Sequence, residues 1–338
     1  MCIHAMIFNA FTQAITRRDF LKGSGAAGAA LALSGISSPV WAAREPLTFG
    51  HLMAAQIHEP VPMILERQKL LEKEGYEAKF PEFLAGAFAM QHFSAGELQA
   101  VTVGCPPILI ARGTGADIVI LASSNTEGSR IVAAPEIKRV EDLAGKKVGT
   151  PGLGSIQDAL LSMAEKKLKI KVSHVPIKVS DMPIYLSKKE IAAFIAWEPI
   201  CSNAVDMGYG HAVYTSKDIF PGHQCCVFAV RGKWIQERPE KVQRLTNLYL
   251  ESMRYFLKNQ DEMLKVISQK TQISEKALKE ALKVVGYPDP PLVHVESLRV
   301  FTKELIDTQK IEASKVPDVE KFVADIYNDK FIKAALKG

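Results

Sequence analysis

His223-Gln224-Cys225-Cys226 is the segment of this chain richest in side chains able to do chemistry. On an extended strand side chains alternate faces. That spacing predicts His223 and Cys225 on one face and Cys226 on the other. His58 or Cys105 could complete a soft-metal or thiolate site, since imidazole and thiolate suit zinc, copper or iron. Three readings stay open: small apolar packing groups, metal ligands, or a disulfide. A bond between the neighbours Cys225 and Cys226 would be strained. Glu198 follows an apolar run, 191–197, and is either a cleft carboxylate accepting from a ligand or a stabiliser of the turn at Pro199. Trp197 reads as core. His92, His174, His211 and His294 lack partners at metal-ligand spacing and read as surface residues. The sequence shows no nucleophile elbow, phosphate-cradling lysine loop or HExxH run, so neither an enzyme nor a cofactor is expected.

These residues need elements to position them. Apolar runs at 47–50, 78–83, 100–103 and 117–122 read as strands. Helical stretches at 61–74 and 86–93, and one opening at Pro106-Pro107, alternate with them. This alternation signals an α/β lobe with a mainly parallel sheet. A second α/β unit opens at Lys146-Lys147-Val148-Gly149-Thr150. It continues with a helix capped by Ser155 and Asp158, and strands at 172–179, 191–197 and 225–231. From 239 to 335 the period is helical, interrupted by the turn at 286–291. Ligands of open α/β sheets sit beyond the carboxyl ends of strands, often at helix N-termini. That rule selects the loop from His51 to His58, then Gly86 and Ala87, Cys105, Ser124 and Asn125, and Gly154 with Ser155. With Glu198, His223 and Cys225 these form the expected ligand-binding set, in which Glu198, His223, Cys225 and His58 should gather round one cavity.

The start of the chain carries different information. Thr16-Arg17-Arg18-Asp19-Phe20-Leu21-Lys22 precedes a 14-residue Ala/Gly-rich apolar run, 23–36, and the small-residue site Val40-Trp41-Ala42. That order is an export signal, and the twin arginines indicate the Tat route, which moves proteins already folded. The run is shorter than the ~20 residues needed to span a bilayer. No cysteine stands at the cleavage site, and the mature chain is expected to begin near Ala43. Removing the first 42 of 338 residues leaves 296, enough for two lobes with their own cores. The formal net charge falls from +5 to +3 when Arg17, Arg18, Lys22 and Asp19 leave. So small an excess, with no Lys/Arg block, argues against nucleic acid. The later sequence holds no run of 18 apolar residues without a charge, so stable membrane insertion is not expected. Four mature cysteines, Cys105, Cys201, Cys225 and Cys226, are too few for a disulfide scaffold.

Three further segments carry a family resemblance. Phe93-Ser94-Ala95-Gly96-Glu97-Leu98-Gln99-Ala100-Val101-Thr102-Val103-Gly104 resembles the AGxxDxxxVG segment of solute-binding proteins of the nitrate/taurine/alkanesulfonate class. Leu143-Ala144-Gly145-Lys146-Lys147-Val148-Gly149-Thr150-Pro151 is similar to their LxGKxVxxP segment, and Lys189 through Pro199 to GxIDAxxxWEP. The resemblance covers about residues 46–335. It implies a type 2 periplasmic-binding-protein fold, two α/β lobes with a hinge and an interlobe cleft. By analogy lobe 1 is about 44–131 plus 227–338, and lobe 2 about 132–226. The implied function is the periplasmic, solute-binding component of an ABC importer, a monomer that captures a small polar molecule and docks on a membrane permease. Sulfonates, taurine, nitrate or related oxyanions are the implied ligands. The cleft loops are nearly without Arg or Lys, Arg130 being the nearest candidate. A neutral ligand such as a pyrimidine thiamine precursor is therefore the alternative, as is a metal-dependent enzyme using the His-x-Cys-Cys segment. That segment also resembles in part the cysteine-rich run of yeast-type thiamine-pyrimidine synthases, although Val227 and Ala229 stand where further cysteines would be needed.

The export reading is tested directly. Replacing Arg17 and Arg18 with lysines should trap precursor in the cytoplasm, read by fractionation and immunoblot. Mature protein appearing outside at the normal level would exclude the Tat route.

Overall fold

The computed structural model describes residues 44–338, and the signal expected over 1–42 lies outside them. Strand β1 (Glu45–Leu52) pairs in parallel with β2 (Tyr76–Lys79), β3 (Glu82–Phe83) and β4 (Ala100–Gly104). After β5 (Ile118–Ser123) the chain leaves this sheet through β6 (Thr126–Glu127). A second sheet holds β7 (Ser129–Ala133), β8 (Lys147–Thr150), β9 (Ser173–Pro176), β10 (Ala193–Trp197) and β11 (His211–Thr215), in the order 11-7-10-8-9. The chain then returns as β12 (Cys226–Arg231), which enters the first sheet between β4 and β5 and runs antiparallel to both. The short β13 (Val285–Gly286) pairs with β6. Helices follow, the longest being Pro239–Lys258.

The residues explain this layout. The five residues of β4, the five of β10 and the first five of β12 are all buried, which suits central strands covered on both faces. Phe228 of β12 stacks on Phe49 at 5.6 Å and on Tyr249 at 4.5 Å between ring centroids. Tyr249 carries its hydroxyl inward to donate to Ser123 O at 3.1 Å.

Several sequence expectations change. The first sheet is mainly parallel as expected, with β12 alone running against its neighbours among the described residues, whereas the second is mixed, because β7 runs antiparallel to β10 and β11. The helix expected over 61–74 breaks at Lys69, whose φ is 52°, into Pro60–Arg67 and Leu70–Lys73. The strand expected over 78–83 is two pieces with Pro81, which has no N–H for a ladder, in the gap. The expected lobe divisions after 131 and before 227 fall inside β7 and β12, each of which pairs whole within one sheet. The crossings therefore lie at 124–128 and 216–225.

The two crossing segments bond to each other. Cys225 N donates to Asn125 O at 3.0 Å, and Glu127 N to His223 O at 3.1 Å. Between them lies Gln224, fully buried. Its Nε2 reaches Ser123 Oγ at 2.8 Å, Asn125 O at 2.9 Å and Cys226 O at 2.8 Å. Its Oε1 accepts from His294 N at 3.1 Å. Apolar packing is continuous across the cleft, and a Cβ at Gly104 would touch Ile156 Cγ2 at 3.4 Å. Lys166 of helix Ile156–Leu168 pairs with Glu304 of helix Val295–Asp307 at 2.7 Å, and Lys276 pairs with Asp206 at 2.7 Å. The two lobes thus touch across the cleft. Among the described residues no helix is long and apolar enough to cross a membrane.

Gln224→Leu keeps the volume but leaves several buried groups unpaired at once. The expected cost is about 3 kcal/mol, from roughly 1–3 kcal/mol per orphaned group. Urea unfolding measures it, and a midpoint equal to that of the wild type would remove this role for the amide.

Candidate functional site

Three helices begin at one cavity. They are Gly86–Ser94, Cys105–Gly113 and Ile156–Leu168, and Gly86 and Pro107 from the first turns of two of them line it together with Ser155, the N-cap of the third. The first N–H groups of a helix have no intrahelical partner, and the helix dipole is positive there. Local sequence enforces these starts. A Cβ on Gly86 would lie 2.6 Å from Pro107 Cγ and 2.8 Å from Val103 Cγ2, so only glycine fits. Pro107 stands where a missing N–H costs nothing. The Ser155–Asp158 cap forms as the sequence indicates: Asp158 N donates to Ser155 Oγ at 3.1 Å, and Gly154 N to Asp158 Oδ2 at 2.8 Å. Gly154 meets this geometry with a φ of 78°.

The cavity wall carries no arginine or lysine. Arg130 is consumed elsewhere: its guanidinium pairs with Glu198 and also donates to Ser202 Oγ. Outward from the cavity a groove of about 310 Å³ shares Gly86, Pro151 and Ser155 with it. Its rim holds three exposed apolar side chains, Leu84, Phe88 and Leu153, with Lys178 at one edge.

On the inner wall stands His58, placed by the loop after β1. Its Nε2 lies 2.8 Å from Gly128 O, which fits a ring N–H donating to that carbonyl. Gly128 has a φ of 87°, and a Cβ there would come within 2.5 Å of the ring. Nδ1, on the other side, faces Asn125 Nδ2 at 3.2 Å and Cys225 Sγ at 3.4 Å. Cys226 Sγ is 3.7 Å from Cys225 Sγ. Burial alone would raise the Cys225 thiol, but the Cys226 hydrogen bond and the neighbouring imidazoles hold it well below the ordinary thiol range. Cys226 is pushed up by burial and by Cys225, and Glu59 beside it is pushed up by burial.

The expected ligand set is only partly gathered here. His58, Gly86 and Ser155 line the cavity, Ala87 the groove, and Gly154 an adjoining surface pocket. Ser124 and Asn125 support rather than line it: Ser124 Oγ donates to His58 O at 2.8 Å, and Asn125 Oδ1 accepts from Cys226 N at 3.1 Å. Cys105 packs in the core with its thiol toward Gln224 O at 3.5 Å. His51 lies on β1 opposite Glu82, and desolvation lowers its pKa to about 4.

The four-residue gathering round one cavity does not occur. Glu198 is wholly buried against Arg130 and Ser202 N, the latter at 3.0 Å, so its carboxylate stabilises the turn. His223 stacks on Phe220, meets Phe301 edge-on, and donates from Nδ1 to Phe220 O, 2.7 Å away. The alternation argument also inverts, since Cys226 and not Cys225 lines the cavity. The regular strand starts at Cys226, so residue 225 still belongs to the crossing segment and both sulfurs reach one place. All four mature cysteines are free thiols. His174 is not a bare surface residue: it pairs with Asp158 at 2.7 Å and Glu165 at 3.4 Å. Trp197 was missed as a wall residue. It is core and cavity wall together, 4% exposed, with an indole Nε1 that has no hydrogen-bond partner. Its place at the carboxyl end of β10 was the available signal.

The comparisons with known proteins agree with this architecture. The twin-arginine translocation signal profile matches residues 14–34, which include Arg17 and Arg18. The chain is 26% identical over 272 residues to a binding protein of Brucella abortus (strain 2308), covering 79% of this chain and 82% of that one. It is 23% identical over 290 residues to the taurine-binding periplasmic protein of Escherichia coli K12, covering 81% and 90%. Among solved structures, the periplasmic nitrate-binding protein NrtA of Synechocystis PCC 6803 superposes with a TM-score of 0.73 at 15% identity, covering 86% and 88%. The alkanesulfonate-binding protein SsuA of Xanthomonas axonopodis gives 0.70 at 15% identity, covering 85% and 99%. These likenesses establish the periplasmic-binding-protein fold. The NMT1-like family profile matches residues 43–269, and the chain is a member of the NMT1-like family, exported by the twin-arginine route.

Proposed function

We propose that this protein is the solute-binding component of an ABC importer and that its cleft takes a small organic oxyanion, a sulfonate with an apolar tail. The carrying observation is the meeting of helix starts at a cavity wall that has no cationic side chain: Gly86–Ser94 and Ile156–Leu168 bring backbone N–H groups there, while Cys105–Gly113 brings only its dipole, since Pro106 and Pro107 carry no N–H and Cys105 N donates to Cys225 O at 2.9 Å. An anionic head there is held by backbone N–H groups, charge-assisted bonds worth about 1.5–3 kcal/mol each. The tail then runs toward Leu84, Phe88 and Leu153. The ligands named for the taurine- and alkanesulfonate-binding relatives support the same head group. Taurine itself suits this groove poorly, because its ammonium end would meet an apolar rim.

A catalytic reading has one observation in its favour, the thiol of Cys225 beside an imidazole. Cys225 is fully buried and does not line the cavity, whereas Cys226, which does, is held as a thiol. The thiol with the neighbouring imidazole is thus kept off the cavity wall, which favours a binder. Closure on the ligand would present both lobes to a permease.

A thermal-shift and calorimetric series of nitrate, taurine, and alkyl and aryl sulfonates tests the assignment. Apolar-tailed sulfonates should bind tenfold or more tighter than taurine, with little dependence on salt because the head is buried. Phe88→Ala should weaken them by about 1–2 kcal/mol. Small-angle scattering should show a smaller radius of gyration with ligand. Binding of neutral pyrimidines in preference to every sulfonate would overturn the oxyanion assignment.

A further inference from the structure

His58, Cys225 and Cys226 are a second site whose chemistry the capture of a solute leaves unused. Their donor atoms all lie within 4.8 Å of one another, and every one of the three residues is buried. We propose that they form a soft-metal site, holding one zinc-class divalent cation through His58 Nδ1 and the two sulfurs, with its fourth position toward the cavity. The proposal does not rest on the identity of the transported solute.

Geometry carries it first. A tetrahedral centre with metal–sulfur bonds of about 2.3 Å and metal–nitrogen bonds of about 2.0–2.1 Å has donor–donor edges of roughly 3.5–3.8 Å. Cys225 Sγ stands 3.7 Å from Cys226 Sγ and 3.4 Å from His58 Nδ1. The ring is oriented as a ligating histidine is. Its other nitrogen faces a backbone carbonyl, Gly128 O, at 2.8 Å, and such outer bonds fix the ring tautomer. Glycine at 128 is what lets that carbonyl approach. Asn125 Nδ2 now faces Nδ1 but also reaches Thr126 O at 3.4 Å and Glu127 O at 3.3 Å, so it retains partners when a cation takes the nitrogen.

Chemistry selects the cation. Two thiolates and an imidazole suit zinc and its soft neighbours, not calcium or magnesium, which take oxygen donors. Two thiolate charges cancel a divalent cation, which keeps a wholly buried cluster neutral. Binding releases to solvent any proton still on the two sulfurs, with no oxidant or reductant needed. Three ligands plus an open position is the arrangement of zinc sites that also contact a small molecule. His58 and Cys226 both line the cavity, so that position faces solute or water. Plain packing would not need three ligand-type side chains at one spot, nor the adjacent Glu59, whose Oε1 has no hydrogen-bond partner.

The test uses mature wild-type protein purified from the periplasm, reduced and freed of metal, and titrated with cobalt(II) and then zinc. One cobalt per chain should bind with near-ultraviolet sulfur-to-cobalt charge-transfer absorption, and zinc should abolish it. C225S, C226S and H58Q should each weaken cobalt at least tenfold, while C105S and C201S should leave it unchanged. X-ray absorption on the zinc-loaded wild type should show two sulfurs per zinc, a readout that needs no variant to fold. No charge-transfer band in the reduced wild type, a zinc shell of oxygen and nitrogen alone, or a band that survives C225S would overturn the site. Sulfonate binding is measured separately on the metal-free protein, so failure of either proposal is distinguishable from failure of the other.

Discussion

A single buried amide ties together the two segments that cross between the sheets. Gln224 sits where the return segment passes the outgoing one, and it ties Ser123, Asn125, Cys226 and His294 together. A crossing between sheets leaves backbone groups without ladder partners, and buried groups of that kind must be satisfied locally. Gln224 and Asn125 supply those partners from their side chains. Because they do, β12 begins at Cys226 and not earlier, and the two sulfurs come to lie beside His58. The hinge and the inner wall of the cavity are thus set by the same hydrogen bonds.

The outer wall has a different physical basis. Helix starts, not cationic side chains, face the cavity there, and a helix dipole needs no long flexible side chain to be held in place. Gly86 and Gly154 make the approach possible, one by lacking a Cβ where Pro107 presses in and the other by its left-handed backbone. Arg130, the cation expected from the sequence, is paired with Glu198 inside the second sheet. Removing either partner would strand a buried charge, so the pair belongs to stability more than to recognition.

The alternation of strands and helices was legible because β4, β5 and β10 are continuous apolar runs bounded by turn residues. The Ser155–Asp158 cap was legible because a cap is local chemistry. The antiparallel insertion of β12 was not, since nothing in Cys-Val-Phe-Ala-Val-Arg says which strands it will part. Glu198 and Trp197 show the same limit on the site. The strand-end rule locates the neighbourhood, but which of two adjacent residues faces the cavity depends on where Arg130 lies across the sheet. His223 could not be separated from Cys225 by spacing alone, because the aromatic slot between Phe220 and Phe301 is closed by a residue far along the chain.

The central position of β12 also sets the order in which the molecule can be built. Gly104 pairs with Cys226, and Ser123 with Val227, so β4 and β5 emerge from the ribosome long before the strand that joins them. All five strands of the second sheet lie between residues 129 and 215 and can close among themselves meanwhile. The inserted unit is therefore free to finish before the unit that hosts it. Until residue 231 is made, two apolar strand edges wait unpaired, the kind of edge that recruits other chains. A passenger of a route that accepts only folded cargo is held back by its latest central strand, and here that strand comes two thirds of the way along the chain.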